Sequence, residues 1–532
     1  MYRNDQLPTG IFSFCRPVLH FHVAKKYITT TVGYKIIKGN DEVMAENFYS
    51  TRNNCYPGHS LFPVTAQMVL MVLMVTLLCG CTPREKRILA PMDLPAHFSR
   101  PGKVPFQASW WLDFHDANLV LLIDQALAEN FSLHLAREKI QEARAVARQA
   151  GASLFPTLDG QGAITSTRNI TENSSSDNFL LGLAASYEID LWGRLRNQRD
   201  AASLDAQATE ADYHTAAVSL AAEVAIIWYQ LVESDLQQDL LVQQIETNAK
   251  ILELISVQFR AGQNGIADVL QQRQLVESNL GDMAILRADI QVLKHQLAIL
   301  TGVPPGTLKL PERVPLPTVP PLPETGIPVD VLRERPDIES SFLRLHAADS
   351  RVAAAVANQL PKLSISAELS TSGDRSRDLF NNWFSSLGAN LFGPIFDGGL
   401  LQAEVDRNEA VARQLFYAHG QLLLEAIGEV ENSLAREKEQ QINLRSLETQ
   451  LQYASQTIDH VANRYRQGAE DYQRVLLALL SQQGLQRNIL TGRRQLINYR
   501  ISLYRALSGR LPLLEPTKAP SSNAKPARGS NQ

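Results

Sequence analysis

Few residues of this chain combine the type and the spacing of a catalytic site. Glu188 and Asp190 could form a carboxylate pair, but the alternating segment around them places both on the polar face of a strand, where water solvates them. The segment 160–162 lacks the third glycine of a dinucleotide-binding turn, and neither a G-x-x-x-x-G-K-[ST] phosphate loop nor an H-E-x-x-H zinc motif occurs. The eleven histidines are scattered. We therefore expect no enzymatic activity and no cofactor.

The charge balance argues against nucleic acid as a partner. Lysine and arginine total 51 against 55 acidic residues, a formal net charge of −4, whereas polyanion-binding proteins show a basic excess. Hydrophobic residues make up 45% and charged residues 20%, which excludes a disordered chain. Because no apolar run approaches the ~20 residues of a membrane helix, the sequence predicts none, and any membrane crossing must use another structure.

The cysteines can act only near the N-terminus, because all four precede residue 82. An uncharged apolar segment, 68–81, is too short to span a bilayer but has the length of the hydrophobic part of a signal peptide. Its end, 78–81 (LCGC), resembles a bacterial lipobox. This implies that 1–80 is a removed leader, with 1–67 as an over-long start, and that Cys81 is acylated. An ordinary secretory signal or a short buried helix is the alternative.

The body of the chain is an internal duplication. Four landmarks recur in the same order at a near-constant offset, from 361 − 156 = 205 to 397 − 190 = 207. The paired positions are Pro156 and Pro361, Asp190 and Asp397, Gly262 and Gly468, and Gly302 and Gly509. The two units are 117–303 and 329–511, joined by the proline-rich linker 304–328. A lipid-anchored N-terminal segment, 81–116, precedes them, and a flexible tail, 512–532, follows.

Each unit is predicted to begin with a helix and to continue with two strands. Apolar periodicity predicts helices over 117–151 and 338–359, each ended by the next proline. Period-2 alternation predicts strands over 157–168, 179–191, 363–370 and 385–391. These lengths suit the strands of a membrane barrel, and aromatic residues near their ends suit an interfacial girdle. The edge of a soluble β-sandwich is the alternative.

A long helical hairpin is predicted to end each unit. Residues 194–261 contain neither proline nor glycine, which allows a helix of about 100 Å, and apolar residues at 4-3-4-3 spacing predict a coiled-coil seam. Second helices over 266–300 and 471–507 complete the hairpins, with turns at 261–265 and 467–469. Four strands cannot close a barrel, but three chains supply 4 × 3 = 12, which close without edges. We expect a mostly α fold with a transmembrane β part, assembled as a homotrimer.

Five motifs carry a family resemblance. They are 110–116 (WWLDFHD), 187–194 (YEIDLWGR), 333–338 (RERPDI), 396–399 (FDGG) and 464–468 (RYRQG). With the lipobox, they make residues 81–512 similar to the TolC-like outer-membrane efflux proteins, in their NodT-type lipoprotein branch. The resemblance implies a 12-stranded trimeric β-barrel in the outer membrane of a Gram-negative bacterium, continued by a coiled α-helical tunnel in the periplasm. It also implies outer-membrane lipid, a periplasmic adaptor protein and an inner-membrane transporter of RND, MFS or ABC type as partners.

The resemblance further implies the exit duct of a tripartite pump that exports small toxic compounds or drugs. A duct for polypeptides beside an ABC exporter is one alternative, and a periplasmic coiled-coil scaffold without a channel is another. In the family, the two hairpin turns form a periplasmic gate that the adaptor touches. This maps here to Gly262, Asp268, Gly468, Asp471, Leu476 and Leu477. We expect a gate that is apolar at the two leucines and acidic at the two aspartates; ordinary coiled-coil core is the alternative for the leucines.

Overall fold

The computed structural model describes residues 95–102, 104–310, 314–326 and 328–511. The leader, Cys81 and the tail 512–532 therefore lie outside the described residues. The first repeat comprises α1 (Ala117–Glu129), α2 (Phe131–Ala152), β1 (Thr157–Asn169), β2 (Ser174–Ile189), α3 (Arg194–Arg260) and α4 (Ile266–Leu300). The second comprises α5 (Pro328–Glu334), α6 (Pro336–Asn358), β3 (Lys362–Gly373), β4 (Trp383–Phe392), α7 (Leu400–Arg466) and α8 (Tyr472–Leu507).

The first helix of the first repeat is two helices, so the prediction of one helix over 117–151 is wrong. Asn130 adopts an extended backbone between α1 and α2, and the two axes differ by 41°. Its side chain accepts from the backbone N–H of Leu133 (3.1 Å), which caps α2. The same side chain donates to the carbonyl of Leu300 (2.9 Å). A contact far along the chain therefore fixes the break.

The four strands form one antiparallel sheet in the order β1-β2-β3-β4. All four predicted strands are confirmed, although β2 begins at Ser174, five residues before its predicted start. The central pair, β2 and β3, joins the two repeats, with Leu183 opposite Leu369. Period-2 alternation gives the sheet an apolar face, and the apolar side chains of that face are largely exposed in the single chain.

The long hairpins follow their prediction closely. Helices α3 and α7 have 67 residues each, about 100 Å at 1.5 Å per residue. Of the predicted seam along α3, Leu231, Leu241 and Ile255 are buried, together with the polar members Ser234 and Asn248. Helix α8 begins at Tyr472, one residue after the predicted start, because Asp471 is its N-cap.

An aromatic core binds the segment 95–116 to the helices of both repeats. Trp110 is fully buried and stacks on Tyr504, with ring centroids 5.4 Å apart. Trp228 donates to Asp116 (2.8 Å) and Tyr504 donates to Asp113 (3.0 Å). The N-terminal segment is thus held from α3 on one side and from α8 on the other.

The same core accounts for an apolar stretch in α3 that the sequence analysis did not single out. Among the described residues, α3 is long and apolar enough to cross a membrane, and the bent α1–α2 pair would be a second span if counted as one. However, 56% of the apolar window of α3 is buried inside the chain. The expectation that no run approaches membrane-helix length therefore needs correction for α3, whose apolar stretch contributes to the packed core.

Candidate functional site

The two hairpins end in the same backbone turn. Gly262 (φ 74°) and Gly468 (φ 72°) adopt the left-handed conformation one residue after the C-cap of each helix, Ala261 and Gln467. In the first turn the N–H of Gln263 donates to the carbonyl of Gln258 (2.9 Å), and in the second Ala469 donates to Arg464 (3.0 Å). This six-residue closure is the Schellman motif, which needs glycine for its φ. A Cβ at either glycine would meet nothing within 4 Å, so conformation rather than space requires glycine.

The two predicted acidic residues both cap helices, but at different positions. Asp471 is the N-cap of α8 and accepts from the backbone N–H of Arg474 (3.1 Å). Asp268 lies in the first turn of α4 and accepts from the backbone N–H of Gly265 (3.3 Å). Helices α3 and α7 have equal lengths, and their first positions give a shift of 400 − 194 = 206 between the hairpins. Asp268 therefore corresponds to Arg474 and not to Asp471, so the acidic side chains do not form an equivalent pair.

The two predicted leucines face in different directions. Leu476 is 8% exposed and packs in a cluster with Ile255, Val269 and Val475. Leu477 is 60% exposed. Of the two, only Leu477 presents its side chain outside the helical packing of the chain, whereas Leu476 helps to hold the two hairpins together near their tips.

A polar cluster that the sequence reading missed links the two tips. Asn264 donates to both Gln258 (2.9 Å) and the hydroxyl of Tyr465 (2.6 Å), and Tyr465 donates to Gln258 (2.8 Å). Tyr472 and Gln272 form a second contact between the repeats (2.5 Å). The residue types gave no signal for this cluster, since each amide is ordinary on a helix surface. A comparison of the two tips could have singled out Tyr465, because a phenylalanine occupies its place in the first repeat.

The second tip carries charges that the first lacks. Glu470 lies between Arg464 (3.3 Å) and Arg474, and both arginines form ion pairs with it. Hydrogen bonding from Arg474, with the charge of Arg464 in addition, lowers the pKa of Glu470. Asn264 occupies the corresponding position of the first tip. No group of three or more histidine, cysteine, aspartate or glutamate side chains that could hold a metal ion occurs among the described residues.

Comparison with known proteins decides the family. The outer membrane efflux protein model matches residues 122–303 and again 327–509. The chain belongs to the outer membrane efflux protein family. It is 30% identical to the pyoverdine export outer membrane protein OpmQ of Pseudomonas aeruginosa over 454 residues, which cover 81% of this chain and 94% of that protein. It is 29% identical to nodulation protein T of Rhizobium leguminosarum bv. trifolii over 76% of this chain and 89% of that protein.

Solved structures agree with this family. The outer-membrane channel OprN superposes with a TM-score of 0.72 at 26% identity, covering 79% of this chain and 98% of that chain. A crystal structure of CusC superposes with a TM-score of 0.74 at 26% identity, covering 81% and 100%. The TolC-like fold expected from the motifs is confirmed. The protein is an efflux channel of the Gram-negative outer membrane.

An outer-membrane efflux channel accounts for the two unusual surfaces of the sheet. Its apolar face exposes large side chains such as Leu158, Ile164 and Leu387, which would be costly in water and are suited to lipid. The opposite face is polar, and Gln161 donates there to Glu368 (3.0 Å). Aromatic residues at the strand ends, including Trp192 and Trp383, are exposed as an interfacial girdle requires.

Proposed function

We propose that three copies of this chain close their sheets into a 12-stranded barrel and form the exit duct of a tripartite efflux pump. One observation carries the proposal: the sheet has four strands, an exposed apolar face, and two edge strands, β1 and β4, without partners in the described chain. Unpaired edges within a membrane leave backbone groups unsatisfied, and closure removes them. The helices that continue from β2 and β4 would then surround a tunnel in the periplasm.

The hairpin tips form the periplasmic gate in this proposal. Leu477 is the apolar lining residue because it is the exposed member of the leucine pair. Asp471 and Asp268 supply the carboxylates of the tips while they cap their helices. The turns at positions 262 and 468 are fixed by their glycines, and the adaptor would bind at them. Leu476 is buried between the hairpins and does not line the gate, so the gate has one apolar lining residue from each chain.

Cys81 anchors the mature chain through an acylated thiol in this proposal. What supports it is the lipobox at 78–81 and the way residues 95–116 are held by the aromatic core, since an anchor needs a firm attachment at its other end. Mass spectrometry of the intact mature protein should find acylated Cys81 as the N-terminus. Any other N-terminus would contradict the anchor without touching the channel.

The cargo is proposed to be small toxic compounds or drugs, delivered by an adaptor and an inner-membrane transporter. Relatives named for pyoverdine export and for solvent efflux support small molecules over polypeptides. A strain that lacks this protein should become more sensitive to such compounds, and the wild-type chain should restore resistance. Loss of a secreted polypeptide, with unchanged sensitivity, would favour the duct for polypeptides instead.

Single-channel recording in planar bilayers tests the duct and its gate together. The wild-type protein should give a small, stable conductance, and Leu477→Ser should raise it several-fold because three lining leucines become small and polar. Leu424→Ser is the matched control: that leucine is also exposed, and it lies in α7 about 60 Å from the tip. An unchanged conductance in Leu477→Ser would remove Leu477 from the constriction, and a folded trimer without any conductance would contradict the duct.

A further inference from the structure

Two phenylalanines of β4 lie on the polar face of the sheet. The register places Phe384 opposite Ser370 and Phe392 opposite Lys362. Both partners are an even number of residues from Glu368 on β3, so they share its polar face. Phe384 is 60% exposed and Phe392 is 74% exposed. Every other large apolar side chain that is exposed in the described strands lies on the apolar face, so these two rings need a separate explanation.

The neighbours of Phe384 leave its ring accessible from the polar side of the sheet. Ser370 lies opposite and Ser386 follows two residues later on the same face, and both side chains are small. The adjacent Trp383 points to the apolar face, because successive residues of a strand point to opposite sides. In the proposed barrel the polar face lines the channel. The ring of Phe384 is therefore available to an aromatic or apolar molecule inside the channel.

A row of residues across the sheet places two carboxylates near this ring. Asp159 of β1 lies opposite Ala184 of β2, which lies opposite Glu368 of β3. Both acidic side chains are exposed. Neighbouring strands are about 4.8 Å apart, so the backbones at the two acidic positions are separated by about 10 Å. Since only the methyl group of Ala184 stands between them on this face, both carboxylates can contact one molecule above it.

Phe384 and the nearer carboxylate are diagonal neighbours. Glu368 lies opposite Ser386, and Phe384 is two residues before Ser386 on β4. Diagonal positions of an antiparallel pair are about 7–8 Å apart, which is within reach of an aromatic ring and of a long side chain. The amide of Gln161 donates to Oε1 of Glu368 (3.0 Å) and helps to hold the carboxylate. A molecule on the Phe384 ring can therefore contact Glu368 as well.

The charges of the polar face favour a cation beside Phe384. Within the described strands the charged residues of this face are Asp159, Glu188, Lys362 and Glu368. Glu188 already forms an ion pair with Arg194 (2.7 Å). Neither Asp159 nor Glu368 forms an ion pair within the described part of the chain. The two carboxylates of this face that lack a cationic partner there are thus the two in the row beside Phe384.

We propose that Phe384, Glu368 and Asp159 form a binding site for organic cations on the channel-lining face of the sheet. The face of an aromatic ring attracts a cation, and the ring also covers an apolar part of the molecule. The carboxylates supply the opposite charge and raise the local concentration of cations. The ligand is a positively charged molecule with an aromatic or apolar body, bound transiently as cargo. The inference rests on the proposed exit duct and names one class of its cargo.

Phe392 provides an internal comparison for this site. It lies on the same strand and the same face, eight residues further along and about 27 Å away. The residue opposite is Lys362, whose ammonium group repels a cation, and the diagonal neighbour within β3 is Ser364. Phe392 therefore offers an exposed ring without an adjacent carboxylate. We expect no binding of organic cations there.

Protection of a cysteine at the site tests the proposal in the full-length protein. Ser386 is exposed and lies opposite Glu368, so Ser386→Cys places a thiol beside the site without removing any of its three residues. The probe is tetraphenylphosphonium, an organic cation with aromatic rings, and uncharged iodoacetamide labels the thiol. At a probe concentration of twice its Kd, mass action predicts labelling about threefold slower. Tetraphenylborate, an anion of the same shape, should not slow the labelling.

Changes at the site should weaken this protection, and changes elsewhere on the same face should not. In the Ser386→Cys protein, Phe384→Ser and Glu368→Gln should each raise the Kd for protection about twofold to fivefold, as the loss of one exposed contact predicts. Phe392→Ser is the matched control and should leave the Kd unchanged. Asn390→Cys, an exposed position near Phe392, is the control thiol, and tetraphenylphosphonium should not slow its labelling.

Three results would overturn the site in a protein that is an intact trimer by native mass spectrometry. They are no protection of Ser386→Cys, equal protection after Phe384→Ser, and equal protection by tetraphenylborate. Any of these, with normal conductance of the trimer in planar bilayers, would leave the exit duct in place. Absence of trimers or of conductance in the wild-type protein would overturn the proposed function itself.

Discussion

The two repeats have the same backbone fold, but they differ in which of their helix surfaces are buried within the chain. In the second repeat, α6 lies between α3 and α7, and ten of its residues are buried. In the first repeat, α2 buries only Leu133 and Ile140 and exposes apolar residues on its other side. Within one chain, α6 of the second repeat therefore has packing neighbours on both sides, whereas one side of α2 in the first repeat has none. Completion then requires another chain, as a duct requires.

The hairpin tips differ in a second respect, their charge. The first tip has Asn264 where the second has Glu470, and Asp268 where the second has Arg474. Amide side chains of the first tip therefore bond to each other and to Tyr465 of the second tip, whereas ion pairs occur within the second tip itself. The two turns have the same backbone conformation but present different side-chain chemistry at the surface.

The largest expected effect concerns a buried ion pair that only the second repeat has. Arg500 donates to Glu437 at 2.7 and 2.8 Å, and both are almost fully buried. Leu231 takes the place of Glu437 in the first repeat. Arg500→Met leaves a buried carboxylate without its cation, which should lower the free energy of unfolding by about 3–5 kcal/mol. Denaturant unfolding of the purified trimer measures the loss.

The matched control for this change removes both charges. Its Glu437→Leu change is taken from the first repeat, where Leu231 stands at that position. Its Arg500→Met change is not, because Lys294 stands in place of Arg500 there. Arg500→Met combined with Glu437→Leu should recover part of the lost free energy of unfolding, because no buried carboxylate is left without its cation. The rest stays lost, because the carbonyl oxygens of two linker prolines also accept from Arg500. If the double variant is as unstable as Arg500→Met, the ion pair is not what distinguishes the second repeat there.

The next effect compares two glycines after the last helix of each repeat. Gly302 has φ 75°, and a Cβ there would lie 2.3 Å from the carbonyl oxygen of Glu129. Gly509 has a negative φ, and its Cβ would lie 3.1 Å from the carbonyl oxygen of Glu334. Gly302→Ala should lower the free energy of unfolding by about 3 kcal/mol, from backbone strain and overpacking together. Gly509→Ala should cost about 1 kcal/mol or less. Equal losses in thermal unfolding would refute the difference.

A smaller effect separates the two aspartates at the tips. Asp471→Ala removes the N-cap of α8 and should destabilise its first turn by about 1 kcal/mol. Asp268→Ala breaks a longer hydrogen bond, 3.3 Å against 3.1 Å, and should cost less in α4. Amide hydrogen exchange resolves such local losses, and exchange over the first turn of α8 should rise about fivefold in Asp471→Ala. A larger rise in α4 of Asp268→Ala would reverse the assignment.

The smallest effect is the pH dependence of the charged tip. Arg474 and Arg464 lower the pKa of Glu470 in the folded protein, so its ion pairs stabilise the tip above the ordinary glutamate pKa. That stabilisation is lost as the pH falls through the lowered value. Protection of the second tip from hydrogen exchange should therefore decrease below about pH 4.5 in the wild-type protein and should not change in Glu470→Gln. An identical pH profile in both proteins would exclude Glu470 as the titrating group.

Most of the fold could be predicted because the residues that begin and end its helices and strands give local sequence signals. Prolines and glycines mark the ends of the long helices, and alternation marks the strands. The break at Asn130 could not be predicted, because asparagine is tolerated in helices and its decisive hydrogen bond goes to Leu300, 170 residues away. The early start of β2 was also hidden, since its first five residues are polar and only pairing with β1 makes them a strand.

The site was predicted less completely, because several of its contacts also join residues that are far apart in the chain. The turns at Gly262 and Gly468 follow from a glycine after a long helix, and the structure shows the expected turns. Which of Leu476 and Leu477 faces outward depends on how the second hairpin packs on the first, which no spacing reveals. The cluster around Tyr465 is also a contact between repeats and has no local signature.

The central claim is that three copies of this chain assemble into one duct, and two cross-links compare a contact inside the chain with a contact expected between copies. Asp205→Cys with Arg351→Cys lies at the contact inside the chain, where the native side chains form an ion pair. The offsets between the repeats convert this pair into Val146 (351 − 205 = 146) and Val411 (205 + 206 = 411), and Val146→Cys with Val411→Cys would lie between copies. With a short bifunctional thiol reagent, the first pair should give linked monomers and the second should give linked trimers on a denaturing gel. Linked monomers from both pairs, or no product from the second in an intact trimer, would contradict the account.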